Sequence, residues 1–255
     1  MQWLRSRFDD YVDKQVYPLL YKGAKANEDA PTGHRIANVG PHRVRCLCVC
    51  PRSVAPKKSA VWLHGNSVTL ADLAKSGLIQ KISDSLQYQV YCPDYSNARS
   101  ARSRGLDTMQ VLHAQSVIEA VTQESPSKVS IFGRSLGAAI ALRAVAEAKH
   151  DVASAIDHVH LVSPFSSLDA LMPSWALSLG LITPNRFDSV AAVQSIMGHT
   201  RFSLYHGDAD MLISPVHSKT LHNARENARW ITTMNSYNLI EGMTHDPMPQ
   251  ASRLV

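Results

Sequence analysis

The chain has 255 residues, 45% hydrophobic and 18% charged, which is enough to bury a full core and too apolar for a disordered protein. No apolar run approaches the ~20 residues needed to span a bilayer, and Met1-Gln2-Trp3-Leu4-Arg5 lacks the apolar stretch of a signal peptide. The net charge of +5 suits a mildly basic globular protein or one drawn to anionic membrane surfaces. Arg99, Arg102 and Arg104 cluster without an aromatic stacking platform, so nucleic acid is not an expected partner.

In chain order, residues 1–22 place Leu4, Phe8, Val12, Val16 and Leu19 at near-helical spacing, with Asp9, Asp10, Asp13 and Lys14 between them. That pattern predicts an amphipathic helix, docked on the protein's own core in preference to a membrane because its polar face is mixed in sign. A polar connector over 23–33 precedes two strand-like runs, 35–39 and 44–50, separated by Gly40-Pro41, which predicts a β-hairpin. A strand over 59–63 runs into His64-Gly65-Asn66, and a helix is expected over 70–86. A strand over 89–92 ends at Pro93-Asp94-Tyr95, where Asp94 is expected to anchor its loop through backbone hydrogen bonds. The loop 96–105 is polar. Residues 106–123 read as a helix with Met109, Leu112, Val117, Ile118 and Val121 toward the core. Later strands are expected at 158–162, 202–205 and 237–240, with a helix from Pro215 to about residue 227. Alternating strands and helices over the full 1–255 predict a single α/β domain with a mostly parallel sheet, helices on both faces and active groups at the strands' C-terminal ends.

The four cysteines do not form a metal site by spacing. Cys46, Cys48 and Cys50 alternate along one strand and therefore share a face, unlike the paired spacing of zinc ligands. Residues two apart on a strand are poor disulfide partners, so reduced thiols and a cytosolic setting are expected.

The stretch around which the chain is organised is Ile131-Phe132-Gly133-Arg134-Ser135-Leu136-Gly137, with an apolar run before it and small helix-forming residues after it. Strand, Gly-x-Ser-x-Gly and helix together are the context of a nucleophile elbow. A serine on so sharp a turn needs neighbours without bulk, and the following helix aims its first N–H groups at one point. Alone the motif is weak, an ordinary strand-to-helix turn being the alternative. Partners at other strand ends strengthen it. Asp210 follows one later strand and His245 the last, in the order Ser, Asp, His. His64-Gly65-Asn66 ends the strand preceding the first of these helices, where a second oxyanion donor is expected.

At Leu63-His64-Gly65-Asn66-Ser67, Pro93-Asp94-Tyr95-Ser96, Gly133-Arg134-Ser135-Leu136-Gly137, residues 162–168, His206-Gly207-Asp208-Ala209-Asp210 and Gly242-Met243-Thr244-His245-Asp246, the chain resembles the α/β-hydrolase superfamily. It looks most like the soluble α/β-hydrolase-domain proteins that include protein depalmitoylases, over about residues 35–247. The resemblance implies a serine hydrolase acting on acyl esters or thioesters, including a palmitoyl-protein thioesterase, with an acyl ester or an acylated protein or lipid as substrate. It implies Ser135 as nucleophile, His245 as base, Asp210 as orienting acid, and the N–H groups of Asn66 and Leu136 as oxyanion hole. Peripheral contact with membranes fits such a substrate. A small-ester carboxylesterase or lipase, an amidase of aminopeptidase type, and a non-catalytic binding protein on the same fold are the alternatives.

Asp208 is the rival acid, though Ile213 and Pro215 follow Asp210 at the expected places. His64 and His206 are expected to brace loops. The other histidines, His158 and His160 among them, show no metal spacing, and no metal or cofactor is expected. Residues 166–199 form an apolar insertion that is either a helix packed on the sheet or a small cap. In the second case Leu171, Met172, Trp175 and Leu179 would line an acyl pocket.

Overall fold

The computed structural model describes residues 34–66, 68–95, 106–171, 187–228 and 231–245. Among these, eight strands form one sheet: β1 Arg35–Val39, β2 Val44–Val49, β3 Lys58–Leu63, β4 Tyr88–Pro93, β5 Val129–Arg134, β6 Ile156–Val162, β7 Arg201–Gly207 and β8 Ser236–Ile240. Their order is β1-β2-β4-β3-β5-β6-β7-β8. β1 pairs with β2, and β2 with β4, in antiparallel register. From β4 through β8 every pairing is parallel. The predicted hairpin is present, and its turn closes with the Arg43 N–H donating to Gly40 O at 2.9 Å.

Helices cross between the parallel strands: α1 Leu70–Ser76, α2 Leu78–Leu86, α3 Leu106–Glu124, α4 Leu136–Ala146, α5 His150–Ser154, α6 Ser189–Ser195 and α7 Val216–Glu226. The single helix expected over 70–86 is two helices. Gly77, at φ 68°, ends α1 and begins α2, a left-handed cap that costs a residue without a side chain little. Thr69 and Asp72 cap α1 reciprocally. The apolar periodicity continues across Gly77 because α1 and α2 press the same kind of face onto the sheet.

Two apolar layers result. On one sheet face Leu47, Val49, Ala60, Trp62, Val90 and Phe132 pack with Leu73, Ile79 and Ile82 of α1 and α2. The other carries the larger core, in which Val61, Leu63, Ile131, Val159, Leu161 and Leu204 meet α3, α4, α6 and α7. The buried stripe of α3 comprises Val111, Ala114, Val117, Ile118 and Val121. Met109 and Leu112, expected in that stripe, flank it half-buried. α4 is buried almost all round, with Ile140 and Leu142 fully covered. That suits the central helix of a layered fold, and truncating Leu142 to Ala would cost about 2–5 kcal/mol.

Cys46 and Cys48 do share a buried face of β2, whereas Cys50 lies past the strand's end and is exposed. Burial pushes the Cys48 thiol up to about 11 and the Cys46 thiol higher still, so both are inert apolar fillers. All four thiols are free.

Of the 166–199 stretch, Phe187, Val193 and Ile196 join the larger core, and Leu168 and Leu171 pack against it. Residues 172–186 lie outside the described residues, as do the predicted helix at 1–22 and the loop 96–105.

Candidate active site

Residue types at the end of β5 force a tight turn. Ser135 has φ 52° and ψ −120°, a backbone conformation that L side chains rarely adopt. A Cβ on Gly133 would fall 2.7 Å from the Cα of Ala138, and one on Gly137 only 2.1 Å from Leu63 O. Both positions must therefore lack a side chain. The contact at Gly137 also packs the start of α4 against the end of β3, next to His64-Gly65-Asn66. The turn is held from β6, where Val162 O accepts from the Ser135 N–H at 2.9 Å.

Two distant loops reach this serine. His245, beyond β8, lies with Nε2 3.2 Å from Ser135 Oγ and Nδ1 2.8 Å from Asp210 Oδ2. A carboxylate only accepts, so Nδ1 carries the ring proton and Nε2 is free to take one from the serine. The side chain of Asp210 is fully covered. Its Oδ1 accepts from the N–H groups of Leu212 at 3.0 Å and Ile213 at 2.8 Å. Burial alone would raise its pKa, but hydrogen bonds from His206, His245 and the Ile213 N–H outweigh that and hold the carboxyl well below the usual range. The rival acid is elsewhere: Asp208 is exposed and its Oδ1 accepts from the Gly242 N–H at 2.7 Å, bracing the loop that carries His245.

The two proposed oxyanion donors belong to adjoining segments. Leu136 opens α4 and is 6% exposed. Asn66 sits in the half-buried turn after β3. That turn is braced by His64, whose buried ring stacks on Tyr95 at 4.3 Å and whose Nδ1 lies 2.9 Å from Gly65 O. The Tyr95 hydroxyl donates to His64 O. Burial lowers the pKa of His64, consistent with a bracing role. His206 is likewise fully buried.

Two features go beyond the reading of the sequence. Arg134, inside the elbow motif, donates from Nη2 to His245 O at 2.8 Å. Ser163, at the end of β6 beside the elbow, has φ 46° and a buried hydroxyl without a partner among the described residues. A charged residue within a buried motif was the signal for the first; nothing in sequence marked the second. Among the expected pocket residues, Leu171 ends a short 3₁₀ turn, Asp169–Leu171. Met172, Trp175 and Leu179 lie outside the described residues. No group of three or more potential metal ligands occurs among the described residues, and none of the described helices is long and apolar enough to cross a membrane.

Comparison with curated protein sequences returned no match. Among solved structures, an esterase from Pyrococcus furiosus superposes with a TM-score of 0.62 at 16% identity, over 92% of this chain and 95% of that one. A predicted CIB-like hydrolase from Thermoplasma acidophilum gives 0.57 at 20% identity, over 87% and 92% of the two chains. A puromycin-hydrolysing peptidase from Mycobacterium tuberculosis gives 0.62 at 16% identity, over 91% of this chain but 39% of its own length. At such identities the likeness is one of fold. The sequence itself matches the alpha/beta hydrolase fold family over residues 60–233, a stretch that holds Ser135 and Asp210 and stops short of His245. Most of the chain is covered by that match, and the sheet order and elbow agree with it: the chain belongs to the α/β-hydrolase fold family.

Proposed function

We propose that the protein is a serine hydrolase that cleaves acyl esters or thioesters through an acyl-enzyme. The observation that carries the proposal is the run of contacts from Ser135 Oγ to His245 Nε2 at 3.2 Å and from His245 Nδ1 to Asp210 at 2.8 Å, ending on a strained serine. In this mechanism His245 takes the serine proton as Oγ attacks the acyl carbonyl carbon, and Asp210 stabilises the imidazolium and keeps its orientation. The carbonyl oxygen becomes an oxyanion, held by the N–H groups of Leu136 and Asn66, each worth about 3 kcal/mol in a water-poor site. Collapse expels the alcohol or thiol, which leaves with the proton from His245. Water then attacks the acyl-Ser135 ester by the same route in reverse and frees the acid.

The reading is tested with a fluorophosphonate probe and with p-nitrophenyl esters. Parent protein is expected to label and to hydrolyse; Ser135→Ala is expected to do neither while melting at the parent temperature. Parental hydrolysis by Ser135→Ala would end the proposal. The narrower class, long-chain thioesters on protein cysteines, is supported by the sequence resemblance to the depalmitoylase branch. A higher kcat/KM on an S-palmitoyl peptide than on a short-chain ester favours it; the opposite ranking favours a small-ester hydrolase.

A further inference from the structure

Asp210 serves two histidines. On one side Oδ2 meets His245, which meets Ser135. On its inner side the same oxygen lies 3.4 Å from Nε2 of His206, and both side chains are fully covered. Nδ1 of His206 lies 2.6 Å from the hydroxyl of Ser218, a buried residue of α7. One carboxylate thus stands between two serine–histidine pairs, one partly exposed and one sealed in the core.

The partners settle the hydrogen on the inner ring. Nε2 is 2.8 Å from Ile213 O, and a carbonyl oxygen only accepts, so Nε2 carries the proton and Nδ1 accepts from the Ser218 hydroxyl. Ile213 is also the residue whose N–H donates to Asp210 Oδ1. A closed ring follows. Asp210 Oδ1 accepts from Ile213 N–H, the carbonyl of Ile213 accepts from His206, and His206 abuts Asp210 Oδ2. The ring holds the carboxylate from both oxygens and leaves one lone pair of Oδ2 aimed at His245. Three consecutive elements build the arrangement: β7 supplies His206, the following loop supplies Asp210 and Ile213, and α7 supplies Ser218.

We propose that His206, backed by Ser218, is a positioning residue that sets the orientation of Asp210 toward His245. It touches neither substrate nor Ser135 and acts only through the carboxylate. This rests on the triad proposed above. An imidazole is suited to the task because it reaches Ile213 O and Ser218 at once, across the width of one rigid ring, where a flexible side chain would not hold both.

The experiment compares His206→Asn with His206→Gln. Asparagine places its amide near the Nδ1 position, keeping Ser218 but falling short of Ile213; glutamine reaches the Nε2 position and restores a donor there. The readouts are the rate of fluorophosphonate labelling, kcat and KM on p-nitrophenyl butyrate, and melting temperature. His206→Asn is expected to label about 30-fold more slowly, with kcat reduced and KM unchanged, whereas His206→Gln stays within about 3-fold of the parent. On an Asp210→Asn background, His206→Asn should cause no further loss, since its effect passes through Asp210. Equal rates for the Asn and Gln variants, or losses that multiply with Asp210→Asn, would assign His206 to packing alone and overturn the inference. If Asp210→Asn itself labels at the parent rate, the triad proposal fails and this inference with it, an outcome distinct from the previous one.

Discussion

The guanidinium of Arg134 donates from Nη2 to the carbonyl oxygen of His245 across 2.8 Å, joining the residue before Ser135 to the loop beyond β8. The bond fixes the backbone of His245 relative to the elbow, although the two residues are 111 positions apart. A charge-assisted bond of this kind resists the rotation that would draw Nε2 away from Ser135.

Replacing Arg134 with Met should therefore lower kcat on p-nitrophenyl butyrate by about 10-fold with little change in KM, because alignment is lost and binding is not. Lysine, with a single point of donation and a different reach, should recover part of the loss. Steady-state kinetics on both variants checks this. A raised KM with unchanged kcat would place Arg134 in substrate binding instead.

The two aspartates of the β7–α7 loop should separate cleanly. Asp210→Asn leaves the geometry near His245 but spoils its tautomer, and activity should fall about 10⁴-fold by the behaviour of other triads. Asp208→Asn keeps an oxygen that can accept from the Gly242 N–H, so its loss should stay under about 5-fold. The ratio of kcat/KM between the two variants is the measurement; the reverse ranking would make Asp208 the acid.

Acid should destabilise the protein through a pair of half-buried histidines. His160 stacks on Phe132 at 4.3 Å and on His158 at 3.8 Å. Burial, and then the neighbouring His158, push the pKa of His160 down to about 3; burial, and then Arg201, push that of His158 down to about 4. Both folded values lie below the unfolded one, so the unfolded chain binds more protons as pH falls below about 6.5. Stability is full above that pH and is lost as pH drops toward 3–4. Between pH 6.5 and 5.5 His160 alone should remove about 1 kcal/mol, or about 2–4 °C in Tm. His160→Phe keeps the stack and removes the titration, so its melting temperature should fall less than the parent's over that interval.

Arg225 is an unexpected strut. It is fully buried, and its two terminal nitrogens donate to the carbonyls of Val193, Ile196, Met197 and Thr200 while the guanidinium lies 4.7 Å from the Phe202 ring centre. It ties α7 to the end of α6. Arg225→Met would remove four hydrogen bonds at once, although Met197 O keeps the Thr200 N–H and Thr200 O the Thr233 hydroxyl; the cost should be about 3 kcal/mol, which corresponds to a Tm lower by about 6–12 °C. Thermal denaturation with an unchanged Tm would show that water replaces the guanidinium at no cost.

Much of the fold was legible because it follows from local patterns. The strands at 129–134, 156–162 and 201–207 carry spaced Val, Ile, Leu and Phe and run into Ser135, Ser163 and Asp208, and a parallel sheet of that kind puts its loops on one edge. The elbow was legible for the same reason: Gly133 and Gly137 flank Ser135, and the close approach of Ala138 and Leu63 explains why they must be glycine. The candidate triad appeared in sequence as residue types at strand ends, in order.

What chain order could not decide was which atoms meet. Asp208 and Asp210 have the same chemistry two residues apart, and only the turn after β7 buries one beside His245 and leaves the other on Gly242. The partnership of Arg134 with His245, and that of His206 with Ser218, join segments that no periodicity relates. Gly77 divided a helix that the apolar pattern carried straight through, because the pattern records which face is buried and says nothing of the backbone at a single residue. Local propensity and burial pattern are properties of short windows, so sequence alone determined the layers and the strand-end residues. Hydrogen bonds between side chains depend on distances across the sheet, and those exist only once the chain has packed.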